Sequence, residues 1–479
     1  MRLILASVAA LLAGVCQAQH VGRVGPAVPA ASKMFECNVL NYGAKADNAT
    51  DIGPAIKSAF SNCVVKNPNS RLIVPKGNYL LSSTVLLNGA SNWAFQLDGL
   101  ITVDYSGYVS GAVSGNALVF QRMNEFELYS SNGQGQFLPP SGPVGDLSQG
   151  QGYLYRLRPN QDGRSGWPRL LRVHISTNFS VHDIKLVDAP SFHLVVGEAV
   201  NAEVYRITIR GGNQGGLDGV DISGTNYHVH HVEVTNRDEC ICVKSPSKQA
   251  TIENIRCNQS GGSTIGSLKD GSAIENILFQ NIENYQVTNA FMLKTYPGGT
   301  SPGYVKNVVL RNFTNIDVTY NAYITQYWQN SFVAGASNVQ LSNITFSDWR
   351  GSLNHGANRG AIVMVGSDTN PPVNINVKNF NFWTLNGNRV IDRCSSTYGA
   401  SSGSCIKSLP AKATPTQYAT VSATATAAPA GWVKPSAPWG IPAYGEKFAQ
   451  LIRLSLQLIG PSHGIDLYKP IPVPTSTFY

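Results

Sequence analysis

The stretch Val181-His-Asp-Ile184 is the first of eight phrases in which two mostly polar residues stand between two apolar ones. The other seven are Val204-Tyr-Arg-Ile207, Val229-His-His-Val232, Ile252-Glu-Asn-Ile255, Ile274-Glu-Asn-Ile277, Val305-Lys-Asn-Val308, Leu341-Ser-Asn-Ile344 and Val377-Lys-Asn-Phe380. The last residues of successive phrases are 23, 25, 23, 22, 31, 36 and 36 positions apart. A period in the low twenties that sometimes lengthens is typical of a solenoid whose coils carry loop insertions.

The composition of these repeats favours strands over helices. The repeats are built from Val, Ile, Asn, Thr and Gly, which suit short strands and tight bends, and they lack the Leu, Ala, Glu and Lys density of helical repeats. We therefore predict an all-β chain folded as a right-handed parallel β-helix, a β-solenoid with loop insertions. Equivalent residues of successive coils then stack about 4.8 Å apart, so residues one coil apart in sequence can build one site.

The chain outside the repeats divides into three segments. Residues 1–18 combine Arg2, an apolar run and the small residue Ala18, which is typical of a secretory signal, and the run is too short to cross a bilayer. We assign residues 19–410 to one β-helix domain. Residues 411–440 are rich in Ala, Thr, Ser and Pro, which predicts an O-glycosylated linker, and residues 441–479 form a tail of unassigned role. We expect a secreted, extracellular protein with no membrane partner.

The charge of the chain bears on its partners. The formal net charge is +8 and the isoelectric point is near 9.0, which would suit an acidic polysaccharide. Only 13% of the residues are charged, and no cluster of Lys and Arg stands out. We therefore expect no nucleic-acid partner.

Secretion into an oxidising compartment gives the cysteines a structural role. Cys16 lies in the signal, and Cys242 is left over as a buried thiol that we expect on the inward face of its strand. The spacing of the remaining six predicts the disulfides Cys37–Cys63, Cys240–Cys257 and Cys394–Cys405. Sequons for N-glycosylation begin at Asn48, Asn178, Asn258, Asn312 and Asn343.

Acidic residues and glycines concentrate between the second and fifth phrases. Asp218 precedes a glycine, Asp238 and Glu239 follow about one period later, and the pair Gly261-Gly262 comes one period after them. If the alternating strand after Asp218 stacks on the strand after Glu239, then Asp218 falls over Glu239, and Gly261 reaches the same corner. The register thus predicts three carboxylates beside a glycine patch.

Three carboxylates at one corner have a chemical consequence. Like charges repel, which raises at least one pKa, and an acid held protonated beside a carboxylate that activates water is the apparatus for hydrolysing a glycosidic bond. In an inverting enzyme the acid and the base stand roughly 6.5–9.5 Å apart so that water fits between them. Stacking over one to two coils can supply that distance.

These motifs resemble those of glycoside hydrolase family 28, the polygalacturonases and rhamnogalacturonases that degrade pectin. The family pattern reads Asn-Thr-Asp-Gly, Gln-Asp-Asp, Gly-His-Gly and Arg-Ile-Lys, and the resemblance covers roughly residues 37–400. This chain has Gly216-Leu217 in place of Asn-Thr, Glu239 in place of the second Asp, Gly262-Ser263 in place of Gly-His, and Met292-Leu293-Lys294 in place of Arg-Ile-Lys.

The departures resemble the fungal rhamnogalacturonase branch, which cuts between galacturonic acid and rhamnose in rhamnogalacturonan I. Rhamnose has a methyl group where galacturonic acid has a carboxylate, so Met292 in place of Arg suits an apolar neighbour.

The resemblance also implies roles for the site residues. Asp238 would be the general acid, while Asp218 and Glu239 would hold and deprotonate the water. Lys294 would bind a galacturonate carboxylate and Tyr296 would contact the sugar. The resemblance implies an endo-acting, inverting, monomeric hydrolase of an acidic plant cell-wall polysaccharide, with no cofactor and no metal.

Other residues near the acids have plainer interpretations. Asp221 alternates with apolar neighbours, which favours a structural role in which it binds backbone or faces solvent. His228 and His230 share one strand face and His231 lies on the other. No acid of ligand spacing accompanies these histidines in the sequence, which favours surface histidines over a metal site.

Two further function classes remain open. A pectate lyase on the same fold needs calcium ligands and a base, for which Arg237 is the one nearby candidate. The other class is a noncatalytic β-helix adhesin, in which the acids would have no catalytic role. Among hydrolases, homogalacturonan and xylogalacturonan are the alternative substrates. Loops around Thr295 to Pro302 or Gln134 to Gln151 would decide between internal and terminal cleavage.

Overall fold

The structure, a computed structural model, describes residues 19–434 except 134–145, 148–151, 153–166, 212–214, 330–336, 355–359, 385–386, 388, 402–403, 411–412 and 426. The predicted signal (1–18), the predicted tail (441–479) and most of the loop 134–151 lie outside the described residues. The chain divides into one compact unit that ends at Ala430 and a second that begins at Gly431.

The described chain is a stack of coils, and each coil pairs in parallel with the coils before and after it. Val220, for example, lies beside Leu194 of the preceding coil and beside Ile241 of the following one. Of the pairings between strands in the described residues, one is antiparallel, and it joins residues 389–395 to residues 419–425. The predicted right-handed parallel β-helix is confirmed.

The bounds of the elements follow the coils. The α-helices are Gly53–Asn62 and Tyr105–Val109, and neither they nor any other helix of the described residues has the length and apolar character needed to cross a bilayer. The 3₁₀ helices are Ala30–Ser32, Val39–Tyr42, Val64–Lys66 and Ser131–Gly133. The strands are β1 (Phe35–Asn38), β2 (Asp47–Asp51), β3 (Ser70–Val74), β4 (Asn78–Leu81), β5 (Val85–Leu97), β6 (Leu100–Val103), β7 (Asn116–Tyr129), β8 (Asp146–Leu147), β9 (Arg169–His174), β10 (Thr177–His182), β11 (Lys185–Val187), β12 (Leu194–Arg210), β13 (Val220–Thr235), β14 (Glu239–Asn258), β15 (Gly262–Leu268), β16 (Ala273–Tyr285), β17 (Asn289–Thr295), β18 (Gly298–Val318), β19 (Tyr320–Thr325), β20 (Ser337–Leu353), β21 (Ile362–Val365), β22 (Val373–Thr384), β23 (Arg389–Ser395), β24 (Gly399–Ser401) and β25 (Ala419–Ala425).

The coil that contains β13 shows how the alternating sequence builds the core. We call residues 220–222 of β13 its first face, residues 227–230 its second face and residues 232–235 its third face. On each face, alternate apolar residues belong to the buried core, because successive side chains of a strand point to opposite sides. The inward side chains are Val220, Ile222, Tyr227, Val229, Val232 and Val234. The residues between them are free to build sites on the outside.

Single residues in the left-handed conformation turn the chain between faces. In β13 these are Asn226 and His231, with φ of 57° and 53°. The third residue of every sequence phrase also has a positive φ, and most of these residues are Asn, which tolerates that conformation.

The eight phrases lie at two corners of the coil and not at one. Ile252 pairs with Phe279, whereas Ile277 pairs with Ala250. The phrases that begin at residues 274, 305 and 341 therefore occupy the corner of Asn226, and the other five occupy the corner of His231. The sequence analysis treated the eight phrases as one series at one corner, which was wrong. Both corners favour the same pattern with Asn, so the phrases look alike in the sequence.

Asparagines at the corner of Asn226 form a ladder along the solenoid. The Nδ2 of Asn307 donates to the Oδ1 of Asn276 at 3.0 Å, and Asn343 donates to Asn307 at 3.2 Å. Asn374 continues the series by donating to Asn343 at 3.0 Å. Each amide side chain thus links its coil to the previous coil.

Both ends of the stack are covered. At the first end, the helix Gly53–Asn62 buries Ile56 and Ala59 in the core, and the ring of Phe60 lies 5.2 Å from that of Trp93. At the other end, β25 pairs antiparallel with β23. Part of the segment that we predicted to be a linker, residues 411–440, is therefore a strand. Its Thr and Val content suits a strand, although its Ala and Pro content is typical of linkers.

The structure contains the three predicted disulfides, with Cα–Cα distances of 5.8, 5.8 and 5.4 Å in chain order. Cys37–Cys63 joins β1 to the end of the first helix, and Cys240–Cys257 closes one turn of the coil that contains β14. Cys394–Cys405 lies at the covered C-terminal end of the stack. Because Cys240 is the residue after Glu239, the second bridge fixes the backbone next to a predicted site residue.

A segment before the first strand, His20 to Lys33, runs along the second face in the direction opposite to the growth of the stack. We call it the N-terminal strap. The His20 amide donates to Thr251 Oγ1 at 3.2 Å, and the Gly25 amide donates to the Asn201 carbonyl at 2.9 Å. The ammonium of Lys33 donates to the Trp93 carbonyl at 3.2 Å. The strap therefore contacts coils that are separated by more than 150 residues of sequence.

Candidate active site

The three predicted acids meet at the edge of the first face. Asp218 lies two residues before β13, Asp238 lies just before β14, and Glu239 is the first residue of β14. Val220 pairs with Ile241, and the amide of Gly219 donates to the Glu239 carbonyl at 2.8 Å. The register predicted from the alternating strands is correct, so Asp218 and Glu239 are neighbours on adjacent coils.

A buried amide side chain holds these two coil turns together. Asn236 is 0% exposed, and its Nδ2 donates to the Leu217 carbonyl at 2.8 Å and to the Glu239 carbonyl at 3.0 Å. Gly219 allows the turns to come close, since a Cβ there would lie 2.4 Å from the Cys240 carbonyl oxygen. The glycine of the Asp-Gly pair is thus required by the close approach of the next coil.

The glycine patch lies on the next coil, one residue away from the predicted position. Val243 pairs with Ile265 as expected, but a bulge between these residues and the start of β14 brings Gly262 opposite Glu239. Gly261 instead contacts the Asp238 backbone, and its amide donates to the Asp238 carbonyl at 2.6 Å. No Cβ therefore stands over the carboxylates from this coil.

The carboxyl groups of Asp218, Asp238 and Glu239, which we call the acid cluster, are close together. One oxygen of each lies within 4.8 Å of the others. The expected separation of about 6.5–9.5 Å is not met by these nearest oxygens. The reason is that the three acids come from two adjacent coils, and Asp238 and Glu239 are also neighbours in the chain.

Lys294 reaches the acid cluster from two coils away. It lies near the end of β17, and its ammonium forms a short ion pair with Glu239 Oε1. The chain between them has Gly266, where a Cβ would lie 2.8 Å from Lys294 Cγ. Gly266 thus leaves the space through which the lysine side chain crosses β15. The Lys294 ammonium also lies 4.6 Å from the centre of the Trp328 ring, a cation–π contact that holds it in place.

A second lysine and a fourth acid complete the site. Asp221 is 4% exposed and lies next to the acid cluster, so the expectation that it binds backbone or faces solvent is wrong. The Lys244 ammonium lies 3.5 Å from Asp221 Oδ1 and 3.8 Å from Asp218 Oδ2. Lys294 therefore pairs with Glu239, whereas Lys244 lies beside Asp218 and Asp221.

Cys242 also belongs to the outside of the first face. It pairs with Asp221 and is fully buried, but it lies between the core residues Ile241 and Val243 and so points away from the core. Its Sγ donates to the Gly266 carbonyl at 2.9 Å. The predicted inward orientation is wrong, because strand alternation assigns the outer side of the strand to this position.

Asp238 and Glu239 hold protons with different affinity. Burial and the hydrogen bond and charge of Glu239 raise the pKa of Asp238 to about 7. Burial also opposes ionisation of Glu239, but the hydrogen bond from Asp238 and the charges of Lys294 and Lys244 outweigh it and lower its pKa to about 2. Between these values Asp238 is an acid with a proton to donate and Glu239 is a carboxylate.

The other two acids resist ionisation. Burial, followed by the charges of Asp221, Glu239 and Asp238, raises the pKa of Asp218 well above its ordinary value. Burial also raises the pKa of Asp221 to about 6, although the Lys244 charge opposes that change. Burial opposes the charge of Lys244, but the neighbouring Cys242 and acids outweigh it and raise its pKa, so it stays charged. The site thus carries fixed positive charge on two sides of the acids.

The two remaining predicted contacts lie at the end of β17. Met292 is 5% exposed, and it lies in the same outward row as Asp221, with Tyr323 of the next coil beside it. Tyr296 is half-buried, and its amide donates to the Leu268 carbonyl at 2.9 Å. Met292 therefore supplies an apolar part of the floor next to Lys294, while Tyr296 stands where the chain leaves the strand.

Sequence reasoning missed Lys244, Asn236 and Trp328. Lys244 and Asn236 stand five residues after and three residues before Glu239, so the outward alternation of β14 could have indicated Lys244. Trp328 follows β19, and its amide donates to the Thr295 carbonyl at 3.0 Å. No local signal links Trp328 to the acids, because the contact depends on the path of a turn one coil away.

This arrangement can carry out acid–base chemistry on a polar substrate. A neutral acid and an ionised carboxylate lie side by side, and two ammonium groups compensate the negative charge. The oxygens of the acid cluster are also close enough to approach a cation, but Lys294 is already bonded to Glu239. The donor set therefore fits proton transfer better than metal binding.

Solved structures with the same fold act on polysaccharides. The endo-xylogalacturonan hydrolase from Aspergillus tubingensis matches with a TM-score of 0.64 at 22% identity, over 78% of this chain and 97% of that one. An exopolygalacturonase from Thermotoga maritima matches with a TM-score of 0.59 at 16% identity, over 84% and 96%. At these identities the likeness shows the fold alone.

Relatives that are more similar in sequence cover most of the chain. Rhamnogalacturonase A of Aspergillus aculeatus is 40% identical over 432 residues, which are 90% of each chain. A probable rhamnogalacturonase B of Neosartorya fischeri is 40% identical over 430 residues, which are 89% of this chain and 77% of that protein. The family described as glycosyl hydrolases family 28 matches residues 63–405, which contain the whole acid cluster and Lys294. The match to the family over most of its length and the relatives at 40% identity show that the chain belongs to glycosyl hydrolases family 28.

Proposed function

We propose that this chain is a secreted rhamnogalacturonan hydrolase that cleaves, within the polymer and with inversion, the α-1,2 bond between galacturonic acid and rhamnose. Membership of the family makes the chain a glycoside hydrolase. The observation that carries the proposed chemistry is the pair of adjacent acids, in which Asp238 keeps its proton up to about pH 7 while Lys294 holds Glu239 ionised.

The residues around the pair support the choice of substrate. Lys294 is a cation that can bind the galacturonate carboxylate while it stays bonded to Glu239, because an ammonium has three donors. Met292 offers an apolar surface on the same strand, which suits the methyl group of rhamnose better than a second carboxylate. The relatives at 40% identity that are named rhamnogalacturonases agree with this choice.

The proposed reaction proceeds by one displacement. Asp238 gives its proton to the glycosidic oxygen, and the bond between that oxygen and C1 of galacturonic acid breaks. Water attacks C1 from the opposite side while the Glu239 carboxylate takes its proton, and Asp218, whose pKa is raised by burial, holds the water. The products are galacturonic acid at a new reducing end and rhamnose at a new nonreducing end. Movement of Glu239 relative to Asp238 would make room for the water, since their nearest oxygens are closer than inversion requires.

Product analysis tests this proposal. The purified secreted protein is incubated, in parallel samples with a chelator and with added calcium, with de-esterified rhamnogalacturonan I, polygalacturonic acid and xylogalacturonan, and the new ends are identified by mass spectrometry. We expect saturated oligomers from rhamnogalacturonan I only. Proton NMR of the first reducing ends should show the β anomer of galacturonic acid if the configuration inverts.

Each contrary outcome points to a defined alternative. Cleavage of polygalacturonic acid or xylogalacturonan in place of rhamnogalacturonan I would overturn the substrate. Unsaturated ends that depend on calcium would make the protein a lyase, and no product from any pectin would favour the adhesin. Long products early in the reaction support internal cleavage, whereas monomers or dimers from the start would reject it.

Secretion and a monomeric state are part of the proposal. The three disulfides suit an oxidising compartment, and the sequons with exposed asparagines, Asn312 and Asn343, suit a glycoprotein. Light scattering of the protein from the culture medium tests both expectations at once. A protein retained in the cell or a stable dimer would contradict them.

A further inference from the structure

A second cluster of ionisable side chains lies on the second face, away from the first-face site of the acids. In the register of the coils, Glu203 of β12 pairs with His228 of β13, and Tyr205 pairs with His230. His228 and His230 point outward because they alternate with the core residues Tyr227 and Val229. The sequence suggested no acid of ligand spacing for these histidines, but the preceding coil supplies one.

The distances in this cluster suit a metal ion. One ring nitrogen of His228, one of His230 and one oxygen of Glu203 all lie within 4.8 Å of one another. His230 Nε2 is 3.1 Å from Glu203 Oε1, and this is close to the ligand–ligand edge of about 3.3 Å in a tetrahedron with bonds of about 2.0 Å. The side chains are only 15%, 15% and 27% exposed for His228, His230 and Glu203, so they are already held in place.

The neighbours of the two histidines act as an outer shell. His228 Nε2 is 2.9 Å from Glu253 Oε1, which leaves Nδ1 of that ring for a metal. His230 Nδ1 is 2.7 Å from His231 Nδ1, which leaves Nε2. A histidine ligand commonly donates its second N–H to a carboxylate or another acceptor, and that bond fixes the ring and its tautomer. Both rings have such a partner.

The N-terminal strap covers the cluster. The His20 ring stacks on the His228 ring with centres 4.6 Å apart, and a Cβ on Gly25 would lie 3.2 Å from Glu203 Oε2. The strap and the cluster therefore form one half-buried assembly.

We propose that Glu203, His228 and His230 bind one divalent transition-metal ion of the zinc type, and that this ion fastens the N-terminal strap to the second face. Two imidazoles and one carboxylate form a donor set that Zn²⁺ uses, with the fourth position open to water or to His20. Ca²⁺ and Mg²⁺ should not bind there, because they prefer sets made of oxygen alone. The role is structural, since the cluster shares no residue with the acid cluster.

The test measures metal and stability and does not depend on activity. The full-length secreted protein, without an affinity tag, is stripped with chelator, dialysed and titrated with Zn²⁺ by calorimetry at pH 7. We expect one ion per chain and, at a hundredfold excess over Kd, a rise in Tm on the order of 3 °C. The same titration with Mg²⁺ should give no heat and no change in Tm.

Four variants assign the ion to the cluster. His230→Asn and Glu203→Gln should abolish Zn²⁺ binding and the rise in Tm, and two such variants guard against one that fails to fold. Glu253→Gln should weaken binding by about 10–100-fold, because it removes an outer partner of His228. His174→Asn is the matched control, since His174 faces Glu198 at 3.7 Å outside the cluster, and it should bind Zn²⁺ as the unaltered protein does.

Asp238→Asn separates this ion from one held by the acids, and it should also keep the full binding. The proposal is overturned if the unaltered protein binds no Zn²⁺, or if both His230→Asn and Glu203→Gln bind it undiminished. It is equally overturned if Asp238→Asn or His174→Asn loses the ion.

Discussion

Asp238 and Glu239 are adjacent in the chain, yet the structure gives them opposite protonation states. Both acids are buried, and the difference comes from the hydrogen bond that Asp238 donates to Glu239 and from the charges of Lys294 and Lys244, which favour the ionised form of Glu239. A backbone amide, that of Gly216, donates to Asp238 in place of a cation. The neutral acid and the ionised base of the proposed reaction therefore follow from the hydrogen bond between the two acids and from the lysine charges that act on Glu239.

Replacement of Asp238 by Asn tests the general acid. Asn keeps the shape of the side chain but has no acidic proton, so we expect kcat on rhamnogalacturonan I to fall by about 10²–10⁴-fold with little change in Tm. Initial rates and thermal melts give the two values. An unchanged kcat would show that Asp238 does not donate the proton.

The pH dependence of kcat/KM follows from the same pair. Asp238 must be protonated to act, so the rate should fall as pH rises through about 7. Glu239 must be ionised to act, so the rate should fall only as pH approaches about 2. Rates measured from pH 2 to pH 9 should therefore give a broad maximum on the acidic side of neutral.

Lys294→Met should move one limb of that profile. Without the ammonium the pKa of Glu239 rises, so the acid limb should shift upward by roughly 1–3 pH units, with a higher KM as well. Lys306→Met is the matched control, because Lys306 pairs with Glu275 at 3.0 Å and is not part of the site. An acid limb that stays in place in Lys294→Met would remove this lysine from the control of Glu239.

At the scale of the element, each coil depends on its corners. Asn307 has a φ of 57°, and its amide joins Asn276 and Asn343 in the ladder. Left-handed backbone costs roughly 1–2 kcal/mol for a residue with an ordinary Cβ, and each lost hydrogen bond about 1 kcal/mol more.

We therefore expect Asn307→Ala to lower the free energy of unfolding by about 2–4 kcal/mol. Asn307→Gly loses the same hydrogen bonds but accepts the backbone conformation, so it should be less destabilising than the alanine variant. Urea denaturation of both variants supplies the comparison. Equal stability of the two variants would mean that the backbone conformation contributes nothing.

The sequence predicts elements well where alternation decides the outcome. The stack of Asp218 on Glu239 and the three disulfides could be read from strand register and spacing. Register could not separate the two corners, because Asn at positive φ serves both. Register also gave no sign of Trp328, because its contact with Lys294 depends on a turn far away in the sequence. Cys242 was predicted on the wrong side of its strand because it was assigned by its apolar character.

At the scale of the whole molecule, the surface decides which sequons can carry glycans. Asn312 and Asn343 are exposed at corners, whereas Asn258 is 2% exposed and its amide donates to Thr235 Oγ1 at 3.3 Å. A chain with a glycan on Asn258 could not complete this packing. We therefore expect the folded secreted protein to carry glycans at Asn312 and Asn343 and none at Asn258.

Enzymatic release of the glycans in water labelled with oxygen-18 converts each glycosylated Asn to a labelled Asp. Mass spectrometry of the peptides then measures the occupancy of each sequon. Asn312→Gln should remove the glycan at that position and leave the one at Asn343. Detection of a glycan at Asn258 in active protein would contradict the packing around that residue.

The N-terminal strap has a consequence for the order in which the molecule is made. Most contacts of the stack join residues one coil apart, so they can form as soon as the next coil has left the ribosome. The hydrogen bonds of His20 and Val21 span 231 and 205 residues, and their partners are synthesised long after the strap itself. The start of the strap therefore cannot form these hydrogen bonds until the middle of the solenoid has been synthesised, and we expect it to dock late in folding.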